Sequence, residues 1–257
     1  MTEAVVLTER RGNILVVTIN RPRARNACNG DVAIQMEAAM NLLEDDPTLF
    51  LGILTGSNGV FSAGSDLKAG ARGEGKSAST NARGPYGLIR RPPAKPLIAA
   101  VEGFALGGGL ELCLACDLIV AARDARMGLP EVRHGVVAIY GGLFRLPKRI
   151  PYHVAMELAL TGTPKEASFF YQHGLINRLV EPGMALQEAL VWAEQLLENG
   201  PLALAVSAQI IRQSSDWADA EAWQQQTPLT TKATDSADAR EGILAFVEKR
   251  RPRWVGA

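Results

Sequence analysis

A glycine turn followed at once by a glutamate is the stretch of this sequence best suited to catalysis. Gly107, Gly108 and Gly109 run directly into an apolar segment whose spacing predicts the start of a helix. The free N–H groups of a first helical turn attract negative charge, and glycine lets a ligand come close to the main chain. Glu111 falls in that same turn, within otherwise apolar surroundings. The combination indicates a carboxylate beside a backbone anion site.

A purely structural interpretation of this stretch is also open. Glycines before a helix can serve close backbone packing alone, and Glu111 can simply favour the positive end of the helix dipole. A helix that only packs, however, has no need of a carboxylate beside an anion site.

A second glycine-bearing turn and a second glutamate favour the catalytic interpretation. The turn Ser62–Asp66 follows a short apolar run, as the first turn does, so both can present backbone N–H groups at the same edge of a parallel sheet. Glu131 also comes just after a turn. Two carboxyl groups close together in an apolar pocket cannot both stay ionised comfortably, so the pKa of one should rise. For Glu131 alone, a surface helix cap is the structural alternative.

One literal motif match competes with this site. Gly70–Ser77 fits the pattern G-x-x-x-x-G-K-[ST] of the phosphate-binding P-loop. A P-loop follows a buried strand and opens a helix, but the residues on either side of the match lack the apolar character that this requires. A flexible loop over Gly70–Gly84 is therefore favoured over nucleotide binding. The sequence has no G-x-S-x-G or H-E-x-x-H motif and no G-x-G-x-x-G motif after a strand.

Composition and charge exclude several classes of protein. The 257 residues are 47% hydrophobic, enough for a sizeable core, and 27 basic residues balance 27 acidic ones. This balance gives no basic surplus for nucleic acid and no acidic tail. The N-terminus lacks the apolar core of a signal peptide, and no apolar run approaches the roughly 20 residues of a membrane helix. We therefore expect a soluble, cytoplasmic protein that binds neither nucleic acid nor membrane.

The C-x-x-C pair is expected to be two buried thiols. Cys113 and Cys116 have this spacing, yet a zinc site needs a second ligand pair, and the three histidines are scattered through the chain. On a helix, the two cysteines share a face with Leu112 and Ala115, where a thiol behaves as a small apolar side chain. We expect no metal site.

Strands alternate with helices along most of the chain, and only helices follow Pro201. This order predicts an α/β unit over residues 1–200 and a helical region over residues 201–257. Strands are predicted at Val5–Leu7, Ile14–Ile19, Leu49–Thr55, Leu97–Val101, Asp117–Ala122 and Leu175–Val180. Besides the helix after Gly109, helices are predicted at Asp31–Leu43 (capped by Asp31), Val154–Leu160, Lys165–Tyr171, Ala185–Glu198, Leu202–Arg212, Ala218–Gln226 and Ala237–Arg250.

Several of these stretches together resemble the enoyl-CoA hydratase/isomerase (crotonase) superfamily over nearly the whole chain. The matching stretches are Phe61–Lys68, Pro96–Gly109, Glu111 with Cys116–Asp117, Leu129–Glu131 and Glu241–Arg250. Two further stretches, Leu143–Pro151 and Phe246–Trp254, look most like the carnitinyl-CoA dehydratase branch and actinobacterial-type enoyl-CoA hydratases.

The resemblance implies an α/β fold, the crotonase (ClpP-like) spiral of β-β-α turns, with a C-terminal helical trimerisation region. It places the spiral core and the acyl-CoA site in residues 1–200 and the oligomerisation helices in residues 201–257. It further implies a homotrimer or a hexamer of two trimers, with an acyl-CoA thioester as the substrate. No cofactor is expected, because coenzyme A is part of the substrate.

The resemblance also assigns roles to individual residues. The oxyanion hole maps onto the backbone N–H groups of Ser65 and Gly108, and the catalytic carboxyl groups map onto Glu111 and Glu131. Contacts to coenzyme A map onto Ala63, Asp66, Leu67 and Lys68 and, from a neighbouring subunit, onto Phe246 and Lys249.

The implied reaction is the reversible addition of water to a 2-enoyl-CoA, a hydro-lyase reaction of fatty acid metabolism. We expect Glu131 to exchange a proton with the α-carbon and Glu111 to orient and deprotonate the water. An enoyl-CoA isomerase needs only one acid/base group, so the presence of both glutamates favours a hydratase. Dehydration of a carnitinyl-CoA-type substrate is an alternative, as is a non-catalytic acyl-CoA-binding or RNA-associated scaffold on the same fold.

One segment departs from the family pattern. Many hydratases have a Pro-Gly-Ala-Gly-Gly-like turn after the second glutamate, where this chain has Val137–Gly142. Ile139 and Tyr140 bring bulk to a segment that borders the acyl pocket in the family, which bears on the size of the substrate. Ser65 is expected to act in the oxyanion hole through its backbone N–H alone, so its side chain has no part in this expectation.

Overall fold

The computed structural model describes residues 4–67 and 77–257 of the chain. Its strands are β1 (Val6–Arg11), β2 (Ile14–Ile19), β3 (Leu51–Gly56), β4 (Ser79–Thr80), β5 (Gly84–Pro85), β6 (Leu97–Val101), β7 (Phe104–Leu106), β8 (Leu118–Ala122), β9 (Arg126–Gly128), β10 (Lys165–Glu166) and β11 (Arg178–Val180). Its helices are α1 (Gly30–Asp45), α2 (Gly108–Ala115), α3 (Gly142–Arg145), α4 (Tyr152–Thr161), α5 (Ala167–Gln172), α6 (Ala185–Leu196), α7 (Pro201–Ser214), α8 (Asp219–Thr234) and α9 (Ala237–Glu248). None of the helices in these described residues has both the length and the apolar character needed to cross a membrane.

The largest sheet is a buried layer between two hydrophobic clusters. Its six strands follow the order β1-β2-β3-β6-β8-β11. The strands β1 and β2 form an antiparallel hairpin, and every later pair is parallel. Parallel strands are usually covered on both faces. Alternate residues of β2 show this, since Leu15 and Val17 belong to one cluster and Ile14 and Val16 to the other.

A smaller sheet carries the segments that bear the two glutamates. Its strand order is β10-β9-β7, and β7 and β9 are parallel, with Leu106 opposite Gly128. The strand β7 ends just before the first glycine turn, and β9 ends just before the segment that carries Glu131. Because neighbouring parallel strands end at the same edge, these two segments lie side by side. A parallel bridge between Ser62 and Ala105 places the second turn beside β7 as well.

The helix that follows the glycine turn is buried on every side. All eight residues of α2 are buried, including Glu111, so this helix is a core element without an exposed face. Cys113 and Cys116 are buried free thiols, as predicted, and so is Cys28. Among the described residues, no group of three or more His, Cys, Asp or Glu side chains is placed to hold a metal ion.

Some element ends differ from the prediction. Asn29 caps α1, since its side chain accepts a hydrogen bond from the N–H of Val32 at 3.1 Å, and Asp31 lies in the first turn instead. The segment predicted as one helix from Lys165 begins as strand β10, because its first residues pair with β9. The helix α8 continues past Pro228 to a later end than predicted, although proline removes one helix hydrogen bond.

The helices α7, α8 and α9 form the predicted helical region, which is tied to the rest of the chain at both ends. In α7, Arg212 donates to both carboxylate oxygens of Asp117, at 2.6 Å from Nε and 2.6 Å from Nη2. The same carboxylate accepts the N–H of Leu97 at 2.8 Å. Near the chain end, the indole N–H of Trp254 donates to the carbonyl of Glu198 at 3.0 Å. The division of the chain at residue 200 stays a prediction.

Replacing Arg212 with methionine should lower the free energy of unfolding by about 2 kcal/mol, because Asp117 is then left as a largely buried carboxylate without its cation. The side chains of the pair are only 22% and 16% exposed. Urea denaturation followed by circular dichroism measures the change.

Arg123→Met is the matched control. Arg123 pairs with Glu181 at the surface, where the two side chains are 54% and 68% exposed, so the expected change is below about 0.5 kcal/mol. Equal losses of stability in the two variants would show that the Arg212 pair contributes no more than a surface contact.

Candidate active site

The two glycine-bearing turns lie directly against each other. A Cβ atom at Gly64 would lie 2.5 Å from the carbonyl oxygen of Leu106 and 3.0 Å from the backbone nitrogen of Gly108, so no side chain fits there. Gly64 also has a φ of 89°, in the region that favours glycine. On its other side, the main chain of Cys28 donates to the carbonyl of Gly64 at 2.7 Å and accepts the N–H of Asp66 at 3.0 Å. The second turn is therefore fixed beside the start of α2.

This contact brings together Ser65 and Gly108, the two expected oxyanion donors. Within the described residues, neither backbone N–H has a hydrogen-bond partner. The N–H of Gly108 belongs to the first turn of α2, where helix geometry leaves such groups without an internal acceptor. Two unpaired donors on adjacent turns, one of them at a helix N-terminus, are suited to bind an oxygen that carries partial negative charge.

Tyr86 adds a side chain that the sequence analysis did not identify. Its hydroxyl lies 2.5 Å from Oγ of Ser65. A Cβ atom at Gly108 would lie only 2.2 Å from the same hydroxyl, so the phenol occupies the space that a side chain would need there. The side-chain hydroxyl of Ser65 thus has a hydrogen-bond partner in Tyr86, whereas its backbone N–H has none among the described residues.

Glu111 is held in one orientation inside the core. The residue is 2% exposed, and its Oε1 accepts the N–H of Tyr140 at 2.7 Å and the N–H of Gly142 at 2.9 Å. Burial raises the pKa of Glu111, and the charge of Glu131 adds to the rise, whereas the two backbone donors oppose it. The hydrogen bonds that described residues make to this carboxyl all reach Oε1, so Oε2 is the atom left to hold a ligand.

Glu131 packs against the first glycine turn. It belongs to the 3-10 helix Pro130–His134, and a Cβ atom at Gly107 would lie 2.9 Å from its Oε1. Its Oε2 is buried and has no hydrogen-bond partner among the described residues. Burial raises the pKa of Glu131, while the nearby His134 opposes the rise. The residue lies in the first turn of this 3-10 helix and is only half-buried, but its buried oxygen without a partner is available to a proton or a ligand.

The segment that departs from the family pattern forms part of the site. Besides donating its N–H to Glu111, Tyr140 meets the ring of Tyr86 edge-on, with ring centroids 5.0 Å apart and an interplanar angle of 78°. Ile139, in contrast, is an exposed side chain. Of the two bulky residues in this segment, Tyr140 is therefore the one that lies against the buried glutamate.

The residues expected to contact coenzyme A near the second turn are partly in place. Ala63 and Asp66 belong to the turn, and Oδ2 of Asp66 pairs with Nη2 of Arg21 at 2.9 Å. Leu67 follows as an exposed side chain. Lys68 lies outside the described residues, and so does the P-loop-like match apart from its last serine.

Phe246 and Lys249, the two contacts expected from a neighbouring subunit, lie at the end of α9. Phe246 is 85% exposed, so it packs against little of its own chain. Lys249 ends the helix with a φ of 54°. Their contact with coenzyme A across a subunit interface stays a prediction.

Comparison with known proteins gives relatives that match along their whole length. Residues 9–257 match the enoyl-CoA hydratase/isomerase family. A carnitinyl-CoA dehydratase from Escherichia coli (strain K12) is 40% identical over 262 residues, which cover 100% of both chains. An enoyl-CoA hydratase structure from Mycobacterium tuberculosis H37Rv is 51% identical with a TM-score of 0.95, covering 99% of this chain and 100% of that one. A carnitinyl-CoA hydratase structure from Mycobacterium avium is 42% identical with a TM-score of 0.78, covering 98% and 99%.

Similarity at these levels shows family membership as well as fold. The predicted crotonase fold is confirmed by the solved structures that this chain resembles. The predicted hydro-lyase class of enzyme is confirmed as well, since these relatives are named as hydratases or as a dehydratase. The chain belongs to the enoyl-CoA hydratase/isomerase family of the crotonase superfamily.

Proposed function

We propose that the protein is an enoyl-CoA hydratase, which adds water reversibly to the double bond of a 2-enoyl-CoA thioester. The observation that carries the proposal is the placement of Glu111 and Glu131 at the turn that presents the unpaired N–H of Gly108. An oxyanion site and two acid/base groups are the parts that this reaction needs.

The oxyanion site stabilises the charge that develops during the reaction. Addition of water to the conjugated double bond places negative charge on the thioester oxygen. The N–H groups of Ser65 and Gly108 are fixed before the substrate arrives, so they need no reorganisation as the charge appears. Loss of one such donor costs on the order of 3 kcal/mol in other enzymes.

The two glutamates divide the proton transfers in this proposal. Glu111 orients and deprotonates the water through Oε2, since its Oε1 already accepts two backbone N–H groups. Glu131 exchanges a proton with the α-carbon through its unpartnered Oε2. Raised pKa values in both carboxyl groups bring acid and base forms closer to neutral pH, where proton transfer is most efficient. An isomerase, with its single acid/base group, would leave one of these carboxyl groups without a task.

Dehydration of a carnitinyl-CoA-type substrate is the second candidate. Full-length relatives named as a carnitinyl-CoA dehydratase and a carnitinyl-CoA hydratase support it. Dehydration is the reverse of hydration, so it uses the same oxyanion site and the same pair of carboxyl groups. A non-catalytic scaffold has less support, because the buried carboxyl of Glu111 and the buried, unpartnered oxygen of Glu131 destabilise a fold that makes no use of them.

Basic residues support binding of the coenzyme A phosphates beside the second turn. Arg23 and Arg25 are exposed before α1, and the N–H of Ala63 donates to the carbonyl of Arg25 at 3.0 Å. Arginine is well suited to phosphate, and coenzyme A enters as part of the substrate, so the proposal needs no separate cofactor. Lys68, Phe246 and Lys249 complete the proposed contacts.

A homotrimer or hexamer assembled through the helical region is part of the proposal. The helices α7, α8 and α9 carry large apolar side chains on their surface, which a subunit interface would cover. They include Ile211, Trp223, Ile243, Phe246 and Val247. Residues 201–257 are then the oligomerisation region and residues 1–200 the catalytic core, and the cytoplasmic location and the place in fatty acid metabolism stay predictions.

Glu111→Gln and Glu131→Gln should each lower the rate of hydration by about 10² or more, because each removes one of two proton-transfer groups. The assay follows the loss of conjugated enone absorbance with a panel of 2-enoyl-CoA substrates that includes crotonyl-CoA and crotonobetainyl-CoA. Preference within the panel separates the two candidate functions.

Glu166→Gln is the control for these variants. Glu166 forms an exposed ion pair with Arg126 and has no part in the proposed mechanism, so this variant should keep full activity. Turnover close to that of the wild type in either active-site variant would rule out the two-glutamate mechanism.

The Glu111→Gln variant should become more stable relative to the wild type as pH rises. Because burial raises the pKa of Glu111, the folded protein favours the neutral carboxyl and loses stability as pH rises through the folded pKa. Glutamine does not titrate, and its Oε1 can still accept both backbone N–H groups. Urea unfolding between about pH 4 and about pH 8 gives the free energy of unfolding of the variant minus that of the wild type. A value of this difference that falls as pH rises would contradict the assignment of a raised pKa.

A further inference from the structure

The hydroxyl of Tyr86 touches both turns that carry the donor N–H groups. It lies 2.5 Å from Oγ of Ser65, and a Cβ atom at Gly108 would lie 2.2 Å from it. The phenol hydroxyl therefore lies beside the two residues whose N–H groups form the proposed oxyanion site.

The structure holds the Tyr86 hydroxyl at one place. The residue has a φ of 51°, which is rare for a bulky side chain, and such backbone conformations persist where the surroundings fix them, often at functional sites. Its N–H donates to the carbonyl of Ala78 at 2.8 Å, and its ring lies edge-on to Tyr140. The side chain is fully buried, so the ring has little freedom to move the hydroxyl away.

Packing alone does not account for the hydroxyl. Its hydrogen-bond partner among the described residues is the hydroxyl of Ser65, a residue exposed enough to bond to water instead. Phenylalanine would fill the same space without bringing a polar atom to the glycine turn. Burial raises the pKa of Tyr86, and the hydrogen bond with Ser65 opposes the rise only in part, so the phenol stays protonated and keeps its ability to donate.

We propose that the Tyr86 hydroxyl is a third hydrogen-bond donor to the thioester oxygen, beside the N–H groups of Ser65 and Gly108. In the free enzyme the phenol and Oγ of Ser65 share a hydrogen bond. When the thioester binds, Oγ of the exposed Ser65 rotates away from the buried phenol, whose O–H then donates to the thioester oxygen. This bond strengthens as negative charge develops there. The inference rests on the proposed hydratase function, and it makes Tyr86 a catalytic residue.

Tyr86→Phe tests the proposal through kinetics. Because the hydrogen bond gains strength mainly in the transition state, kcat for hydration should fall roughly 10- to 100-fold while KM changes less than about 3-fold. Tyr171→Phe, a change at an exposed tyrosine on α5, is the matched control and should leave both constants unchanged. Equal kcat values for Tyr86→Phe and the wild type would overturn the proposal.

A spectroscopic measurement separates a donor from a residue that only shapes the site. Butyryl-CoA labelled with ¹³C at the carbonyl cannot be hydrated, and isotope-edited infrared spectra report the polarisation of its bound thioester. The carbonyl band should move to lower frequency on binding to the wild type and move less on binding to Tyr86→Phe. Should that variant fail to fold, Tyr86→3-fluorotyrosine keeps the ring and has a more acidic phenol, so the band should move further than in the wild type.

The same spectra distinguish failure of this inference from failure of the proposed function. A band that moves equally in the wild type, in Tyr86→Phe and in the fluorotyrosine protein would overturn the role of Tyr86 and leave the two backbone donors intact. A band that does not move in the wild type, together with no turnover of any 2-enoyl-CoA, would overturn the hydratase proposal and this inference with it.

Discussion

The absence of side chains at the glycine turn before α2 is the constraint on which the site depends. Gly107 lets the carboxyl of Glu131 approach the main chain, and Gly108 leaves room for the hydroxyl of Tyr86. The turn around Gly64 packs against the main chain of Leu106 and Gly108. Polar groups from three separate parts of the sequence can therefore meet at one short stretch of backbone. The strands of the small sheet bring two of those parts, the turn around Gly64 and the segment of Glu131, to a common edge.

Burial of the Glu111 carboxyl raises its pKa and also destabilises the fold. A carboxylate inside the core is poorly solvated, and the charge of Glu131 adds to the pKa rise that burial produces in Glu111. The backbone N–H groups of Tyr140 and Gly142 compensate in part and fix the direction of the carboxyl. An enzyme that keeps such groups accepts lower stability in return for acid/base groups that work near neutral pH.

Features set by local sequence were predictable, whereas those set by distant contacts were not. The glycine run, Glu111 and the burial of α2 follow from residue types a few positions apart, and so do the longer apolar strands. Strands β7, β9 and β10 have only two or three residues, too few to show alternation. Tyr86 stands alone in a stretch without apolar periodicity, and its approach to Gly108 is a tertiary contact that no spacing rule contains. At α1, Asn29 and Asp31 are both good caps, and only the exact helix start decides between them.

The two ends of α2 belong to different parts of the protein. Its N-terminus belongs to the proposed oxyanion site, and just beyond its C-terminus Asp117 accepts two hydrogen bonds from Arg212 of α7. Eight residues of helix span about 12 Å, and a helix enclosed on all sides shifts only if its close-packed neighbours shift too. The helix α2 thus connects α7 rigidly to the proposed oxyanion site. Contacts that fix the position of α7 therefore also fix the direction of the Gly108 N–H.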